Sequence, residues 1–290
     1  MTNWSSRDIP DQQGRTVVIT GANSGLGEQA AKALGAAGAT VILACRTVEK
    51  AKPVAAAIGS NASVAELDLA DLASVRRFAD GIDTVDVLIN NAGVMAVPKK
   101  RTADGFEMQF GTNHLGHFAL TGLLLPKITD RVVTVSSFAH VLGKIDLDDL
   151  NYDHRRYERW SAYGQSKLAN LLFGFELARK LGRSGSAVSS MVAHPGYART
   201  ELQSHTQSIY DRIMKVTNLI GQSAADGALP ELYAAASPDA ASGAFYGPSG
   251  LGGLRGAPTL TKAMPKARDE GVAQALWLAS EKLTGVSYDI

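Results

Sequence analysis

Residues 16–27 read Thr-Val-Val-Ile-Thr-Gly-Ala-Asn-Ser-Gly-Leu-Gly. A β-branched apolar run passes here straight into a glycine-rich turn, and the Ala- and Leu-rich stretch Gly25–Ala37 follows at once. The run suits a strand and the stretch suits a helix. Glycines at such a junction let the backbone adopt positive φ and approach a ligand closely. The first N–H groups of the following helix and its positive dipole end then face whatever lies over the turn, and a pyrophosphate is the ligand they suit. A glycine triplet alone says little; a strand before it and a helix after it supply the context of a nucleotide-binding turn.

Outward from this turn the strand–helix alternation repeats. Strands are expected at Thr16–Thr20, Thr40–Ala44, Val64–Leu67, Val85–Ile89, Val132–Ser136 and Val188–Val192. Helices are expected at Gly25–Ala37, Val48–Ile58, Leu72–Phe78, Glu107–Lys127 and Ala162–Leu181. Several strands are apolar almost without alternation, as strands covered on both faces are. Right-handed crossovers between them build an α/β, doubly wound parallel sheet. No low-complexity linker or internal repeat divides the chain, so residues 1–290 are expected to form a single domain. Two stretches break the rhythm: the polar and aromatic 138–160, and 201–222 after His194-Pro195-Gly196. Insertions at strand C-termini usually surround the ligand crevice of an open sheet, and 201–222 is the expected substrate loop.

Composition narrows the class. With 290 residues, 45% of them hydrophobic and 20% charged, the chain can bury a substantial core. A net charge of +1 gives no electrostatic case for nucleic acid or an anionic membrane. Apolar runs stop well short of the roughly 18–20 residues a membrane span needs. The opening MTNWSSRDIPDQQG lacks the apolar core of a secretion signal. Cys45 is the only cysteine, so no intrachain disulfide can form and a reducing, cytoplasmic setting is expected.

The turn is spaced Thr-Gly-x-x-x-Gly-x-Gly from Thr20 to Gly27, and further motifs follow it in order. Asp68-Leu69 come after the third expected strand and Asn90-Asn91-Ala92-Gly93 after the fourth. Asn113 lies in the next helix, Ser136-Ser137 after the fifth strand, then Tyr163-x-x-x-Lys167 and Pro195-Gly196-x-x-x-Thr200. In this series the chain resembles the short-chain dehydrogenase/reductase family, strongly over roughly residues 14–200 and more loosely beyond. The resemblance implies a Rossmann-type fold, a nicotinamide dinucleotide and a homo-oligomer. It places Gly21, Asn23, Ser24, Gly25, Leu26 and Gly27 at the cofactor turn, Asp68 and Leu69 beside the adenine, and Asn91, Ala92 and Gly93 along the ribose. Pro195, Gly196 and Thr200 join the cofactor set by the same resemblance.

The end of the second strand selects the dinucleotide. Enzymes of this fold that use NAD usually carry an acidic residue there for the ribose hydroxyls. This strand ends Ala44-Cys45-Arg46. A guanidinium can pair bidentately with a 2′-phosphate and stack on adenine, so NADP (NADPH) is expected.

Reduction of a carbonyl needs a hydride on carbon and a proton on oxygen. A tyrosine, with pKa about 10, is neutral near pH 7 and can donate that proton. Tyr163 and Lys167 lie four residues apart, on one helix face about one turn apart. A nearby ammonium, joined by the oxidised nicotinamide, favours the phenolate, so a lowered Tyr163 pKa is expected, and Lys167 can also hold the nicotinamide ribose. Ser137 would steady the substrate oxygen; the resemblance prefers it to Ser136. The resemblance also assigns Asn113 to a proton relay through a bound water linked to Lys167. Asn113, Ser137, Tyr163 and Lys167 are therefore the expected catalytic set.

The gap from Ser137 to Tyr163 is about twice that of the commonest family members. With Ser-Ser-x-Ala-His and Tyr-x-x-Ser-Lys-Leu-Ala-Asn, it resembles the branch of retinol dehydrogenase-like, WW-domain-oxidoreductase-like and protochlorophyllide reductase-like proteins, here as a bacterial soluble member. The expected partner is a small, apolar substrate, an aldehyde, ketone or secondary alcohol. Met95, Val97, His140, Leu142, Tyr197 and 201–222 are its expected contacts, by position after strand C-termini. A nucleotide-binding regulatory protein without turnover and a double-bond reductase are the alternatives. His114 and His117 share a helix, but no acidic or cysteine partner completes a metal set, so no metal is expected. A Gly-x-Ser-x-Gly elbow is missing, which argues against a hydrolase.

Overall fold

The six expected strands join two more from the tail in one eight-stranded sheet of order β3-β2-β1-β4-β5-β6-β7-β8. The strands are β1 (Thr16–Thr20), β2 (Thr40–Cys45), β3 (Ala62–Glu66), β4 (Val85–Asn90), β5 (Ile128–Val135), β6 (Ser189–Ala193), β7 (Phe245–Gly250) and β8 (Arg255–Leu260). This computed structural model describes residues 4–197 and 222–290. β1 to β7 pair in parallel, whereas β8 folds back antiparallel on β7, so the expected parallel sheet gains an antiparallel edge.

One layer packs α1 (Gly25–Ala36), α2 (Val48–Ile58) and α7 (Ala224–Ala236) on Val17, Ile19, Val133 and Val135. The other packs α3 (Leu72–Asp80), α5 (Gly116–Leu124), α6 (Arg159–Ser184) and α8 (Glu270–Thr284) on Val18, Leu88 and Val132. Alternate residues of β1 and β5 thus serve opposite layers, as a strand buried on both faces requires.

The helix expected as one piece over Glu107–Lys127 is interrupted. It runs as α4 (Met108–Phe110), a π turn Gly111–Leu115, α5, and a 3-10 turn Leu125–Lys127. Single π turns are frequent at functional sites, and Asn113 lies in this one. Strand order reverses between β1 and β4, so the loops leaving β1, β4, β5 and β6 converge on one crevice.

Candidate active site

A cleft of about 540 Å³ opens over those four strand ends. Its dinucleotide half is lined by Gly21, Asn23, Ser24, Gly25 and Leu26 of the turn, Arg46 after β2, Asp68 and Leu69, and Asn91, Ala92 and Gly93. Gly27 lies behind the turn, where a Cβ would come 2.5 Å from Asn91 Nδ2 and 2.7 Å from Gly21 O. Thr20 ties the turn to the loop after β4: its Oγ1 accepts from Asn91 N and Ala92 N, both at 2.9 Å, and its carbonyl accepts from Asn91 Nδ2 at 2.8 Å. Pro195 and Gly196 line the far end. Thr200 and residues 201–221 of the expected substrate loop lie outside the described residues.

Two helix ends at this cleft lack side-chain caps. Ser24 precedes α1 and Thr47 precedes α2, and neither side chain bonds the first-turn N–H groups. By contrast, α3, α6, α7 and α8 are capped by Asp71, Glu158, Ser223 and Asp269. Arg46, Thr47 and Lys50 all line the cleft, and among the described residues Arg46 and Lys50 make no ion pair. Lys50 was open to sequence reasoning as a second cation close behind Arg46, in the first turn of the helix expected from Val48.

The reacting half sits over β5 and α6. Tyr163 and Lys167 are buried, at 7% and 4% exposure, and both line the cleft. Lys167 Nζ donates to Val135 O at 3.1 Å and stands 5.9 Å from the centre of the Tyr163 ring. Ser137 is half-buried; its Oγ accepts from Ala139 N, and it lines the cleft with Tyr163 and favours that phenol's ionisation. Ser136 is turned to a different task, donating to Lys167 O at 2.8 Å and fastening the end of β5 to α6. Asn113 Oδ1 accepts from Val94 N at 2.7 Å, and its Nδ2 donates to Val94 O and to Ser166 Oγ, both at 2.9 Å.

Electrostatics correct one expectation. Tyr163 is not lowered: burial pushes it up to about 12, and the Ser137 hydroxyl pulls it back only in part. Burial lowers Lys167 to about 8, and the buried carboxyl of Glu231 raises it in return. Burial pushes Glu231 up to about 8, against the attraction of Lys167, and neither of its oxygens has a hydrogen-bond partner. Nothing in the sequence pattern pointed to Glu231.

The segment 138–160 does less at the cleft than expected. Phe138, Ala139, Leu142 and Trp160 line it, with Phe138 about half exposed. The intervening residues instead buttress the wall from behind. Tyr157 donates to Val97 O at 2.9 Å, while Gln109 Oε1 accepts from Ala96 N at 2.7 Å and its Nε2 donates to the Tyr157 hydroxyl at 2.8 Å. These bonds hold Ala96 at φ 49°, a conformation rarely taken by residues with a side chain. Gly143 packs backbone to backbone on Gly164, where a Cβ would fall 2.2 Å from Gly164 O, and this brings Ser137–Leu142 beside Tyr163. Met95, Val97, Leu142 and Tyr197 line the cleft as expected, but His140 does not. It is buried with Nδ1 on Ser137 O at 2.7 Å and its ring edge-on to Phe245.

The model of the family described as short chain dehydrogenase matches residues 15–210. The chain belongs to the short chain dehydrogenase family. Retinol dehydrogenase 13 of Homo sapiens is 45% identical over 294 residues, spanning 94% of this chain and 85% of its own. Retinol dehydrogenase 12 of Homo sapiens is 40% identical over 291 residues, spanning 95% and 88%. These matches place the chain in the retinol dehydrogenase-like branch. An uncharacterised protein of solved structure from Mycobacterium Paratuberculosis is 51% identical, with 100% of both chains covered and a TM-score of 0.88. A short chain dehydrogenase from Burkholderia cenocepacia, solved in complex with NADP, shares the fold at 24% identity and TM-score 0.65, covering 81% of this chain and 96% of its own.

A short chain dehydrogenase is an oxidoreductase that works with a nicotinamide dinucleotide, and the cleft fits one. The glycine turn lines the cleft with Gly21 and Gly25, both at positive φ, and closes tightly behind because Gly27 has no Cβ to meet Gly21 O and Asn91. The uncapped starts of α1 and α2 offer N–H groups to anions at two separate points. Among the described residues no helix is long and apolar enough to cross a membrane, and no three His, Cys, Asp or Glu side chains gather to hold a metal.

Proposed function

We propose that the chain interconverts an apolar alcohol and its aldehyde or ketone with NADP(H), Tyr163 acting as general acid and base. The observation that carries this reading is the Ser137–Tyr163–Lys167 arrangement in the cleft: a buried phenol that shares the cleft with a serine, with a buried ammonium 5.9 Å from its ring.

NADPH, when bound, supplies the hydride. With its pKa raised by burial, Tyr163 keeps its proton at neutral pH and is ready to deliver it to a carbonyl oxygen. The Ser137 hydroxyl holds that oxygen and offsets the charge that develops on it. Lys167, fixed by Val135 O, is placed to bind the nicotinamide ribose and to restore the proton. In the direction of alcohol oxidation Tyr163 must first lose its proton, which the nearby positive charges favour. Arg46, Thr47 and Lys50, at the uncapped start of α2, favour the 2′-phosphate of NADP over a bare ribose. Met95, Val97, Phe138, Leu142 and Trp160 make the rest of the wall largely apolar, which suits a hydrophobic substrate.

The test follows NADPH absorbance across a panel of apolar aldehydes and ketones, retinal among them because related chains are retinol dehydrogenases. Turnover is expected and should fall by about 10²–10⁴ in Tyr163→Phe while NADPH binding persists. Tight NADPH binding without turnover on any member of the panel would sink the reading.

A further inference from the structure

His117 is 1% exposed in α5, and the mechanism above gives it no task. Its Nδ1 lies 2.9 Å from Asn113 O, and its Nε2 lies 2.9 Å from Thr20 Oγ1. The first contact fixes the tautomer. A carbonyl oxygen only accepts, so Nδ1 carries the hydrogen, and Nε2 of the neutral ring is then a bare acceptor. Thr20 must therefore donate its hydroxyl hydrogen to Nε2. That leaves the oxygen's lone pairs for Asn91 N and Ala92 N, both at 2.9 Å. Ile89 O, the other oxygen within reach of the hydroxyl, is more distant at 3.4 Å.

Every position in this chain of hydrogen bonds thus has a single direction. It begins at the residue before Gly21 and at the backbone of Asn91 and Ala92, which line the dinucleotide half of the cleft. It crosses the His117 ring to the π turn and ends on Asn113, whose side chain grips Val94 and Ser166, the neighbour of Lys167. Burial holds His117 far below its usual range, at about 4, and the Lys167 charge acts the same way; the buried His114 ring is its other ionisable neighbour. The ring therefore stays neutral at any working pH and acts as a strut.

We propose that His117 is a positioning residue whose single neutral tautomer couples the cofactor turn at Thr20 to the Asn113–Lys167 end of the site. The coupling rests on the reading of this cleft as an NADP(H) site, but the strut itself does not. Its tautomer can be read without cofactor, from the ¹⁵N resonances of the ring. The Nδ1–H, Nε2-bare pattern is expected to hold unchanged from about pH 5.5 to 8.5. Titration within that range, or the opposite tautomer, would overturn the proposal.

Function is tested by splitting the two bonds. His117→Asn keeps a donor near Asn113 O but loses the Thr20 contact; His117→Gln can still reach Thr20 but abandons Asn113. The first is expected to raise the NADPH Kd about tenfold with kcat nearly kept, and the second to lower kcat by a similar factor with Kd nearly kept. Amide hydrogen exchange should quicken at Asn91 and Ala92, whose N–H groups rest on Thr20 Oγ1, in His117→Asn. Should the two variants behave alike in Kd, kcat and exchange, the coupling is refuted. If the unmodified protein binds neither NADPH nor NADH, the functional reading fails, while the tautomer and exchange results still decide the strut.

Discussion

Lys167 of α6 and Glu231 of α7 stand in opposite layers of the sheet, yet each is the buried charge that acts on the other. Because both Glu231 oxygens lack a partner, ionising this carboxyl is costly, and its folded pKa of about 8 lies well above the unfolded value of about 4.3. Between those two values the folded chain holds a proton that the unfolded chain has released, so stability falls as pH rises toward 8. Glu231→Gln removes that loss. Melting curves should nearly coincide around pH 5 and separate toward pH 8, the variant ending higher by on the order of a few degrees. A pH-independent difference would contradict the argument.

Carbonyl reduction should lose rate above about pH 8, where Lys167 gives up the proton it holds at lower pH. Glu231→Gln withdraws the negative charge that supports the ammonium, so its alkaline limb should move to lower pH. The check is kcat/KM for NADPH-driven reduction against pH in both proteins; a limb in the same place would show that Glu231 does not reach Lys167.

Arg46→Ala is expected to raise the KM for NADPH about tenfold or more and to leave that for NADH nearly unchanged, because only the 2′-phosphate is lost as a partner. Lys50→Ala should act in the same direction with a smaller effect, since an ammonium makes no bidentate pair. Equal losses with both cofactors would mean that these cations do not read the phosphate.

Gly27→Ala puts a methyl group against Asn91 Nδ2 and Gly21 O, the second of which is backbone. The turn must open to admit it, at a cost of about 1–3 kcal/mol. Thermal melts should show the destabilisation and NADPH titration a weakened complex. Wild-type behaviour in both would show that the turn has slack that its contacts do not suggest.

Much of this was legible in the chain itself. The passage from Thr16–Thr20 into Gly21–Gly27 fixes strand, turn and helix, because local geometry and glycine chemistry agree there. The four-residue spacing of Tyr163 and Lys167 needed only helical periodicity. Long-range effects were harder to read. Phe245–Gly250 and Arg255–Leu260 carry Gly and Pro and look like loop, yet they pair as β7 and β8 because each finds a neighbour at the sheet edge. The π turn around Asn113 leaves the hydrophobic pattern of its helix intact. Tyr163 is expected to be acidified by Lys167, but desolvation raises it and the opposing influence comes from Ser137, and burial depth is invisible in spacing. His140 followed a strand end as a substrate contact would, but its ring turned inward onto Phe245.

The bare starts of α1 and α2 reach beyond recognition. A missing side-chain cap leaves a helix less stable by about 1 kcal/mol, and here two are missing at one cleft. An anion bound there would make good that deficit, and binding to the folded form alone shifts the balance away from the opened chain. The protein's resistance to proteolysis would then track how full its cleft is, so that a cell short of the dinucleotide would hold fewer copies of the enzyme that uses it.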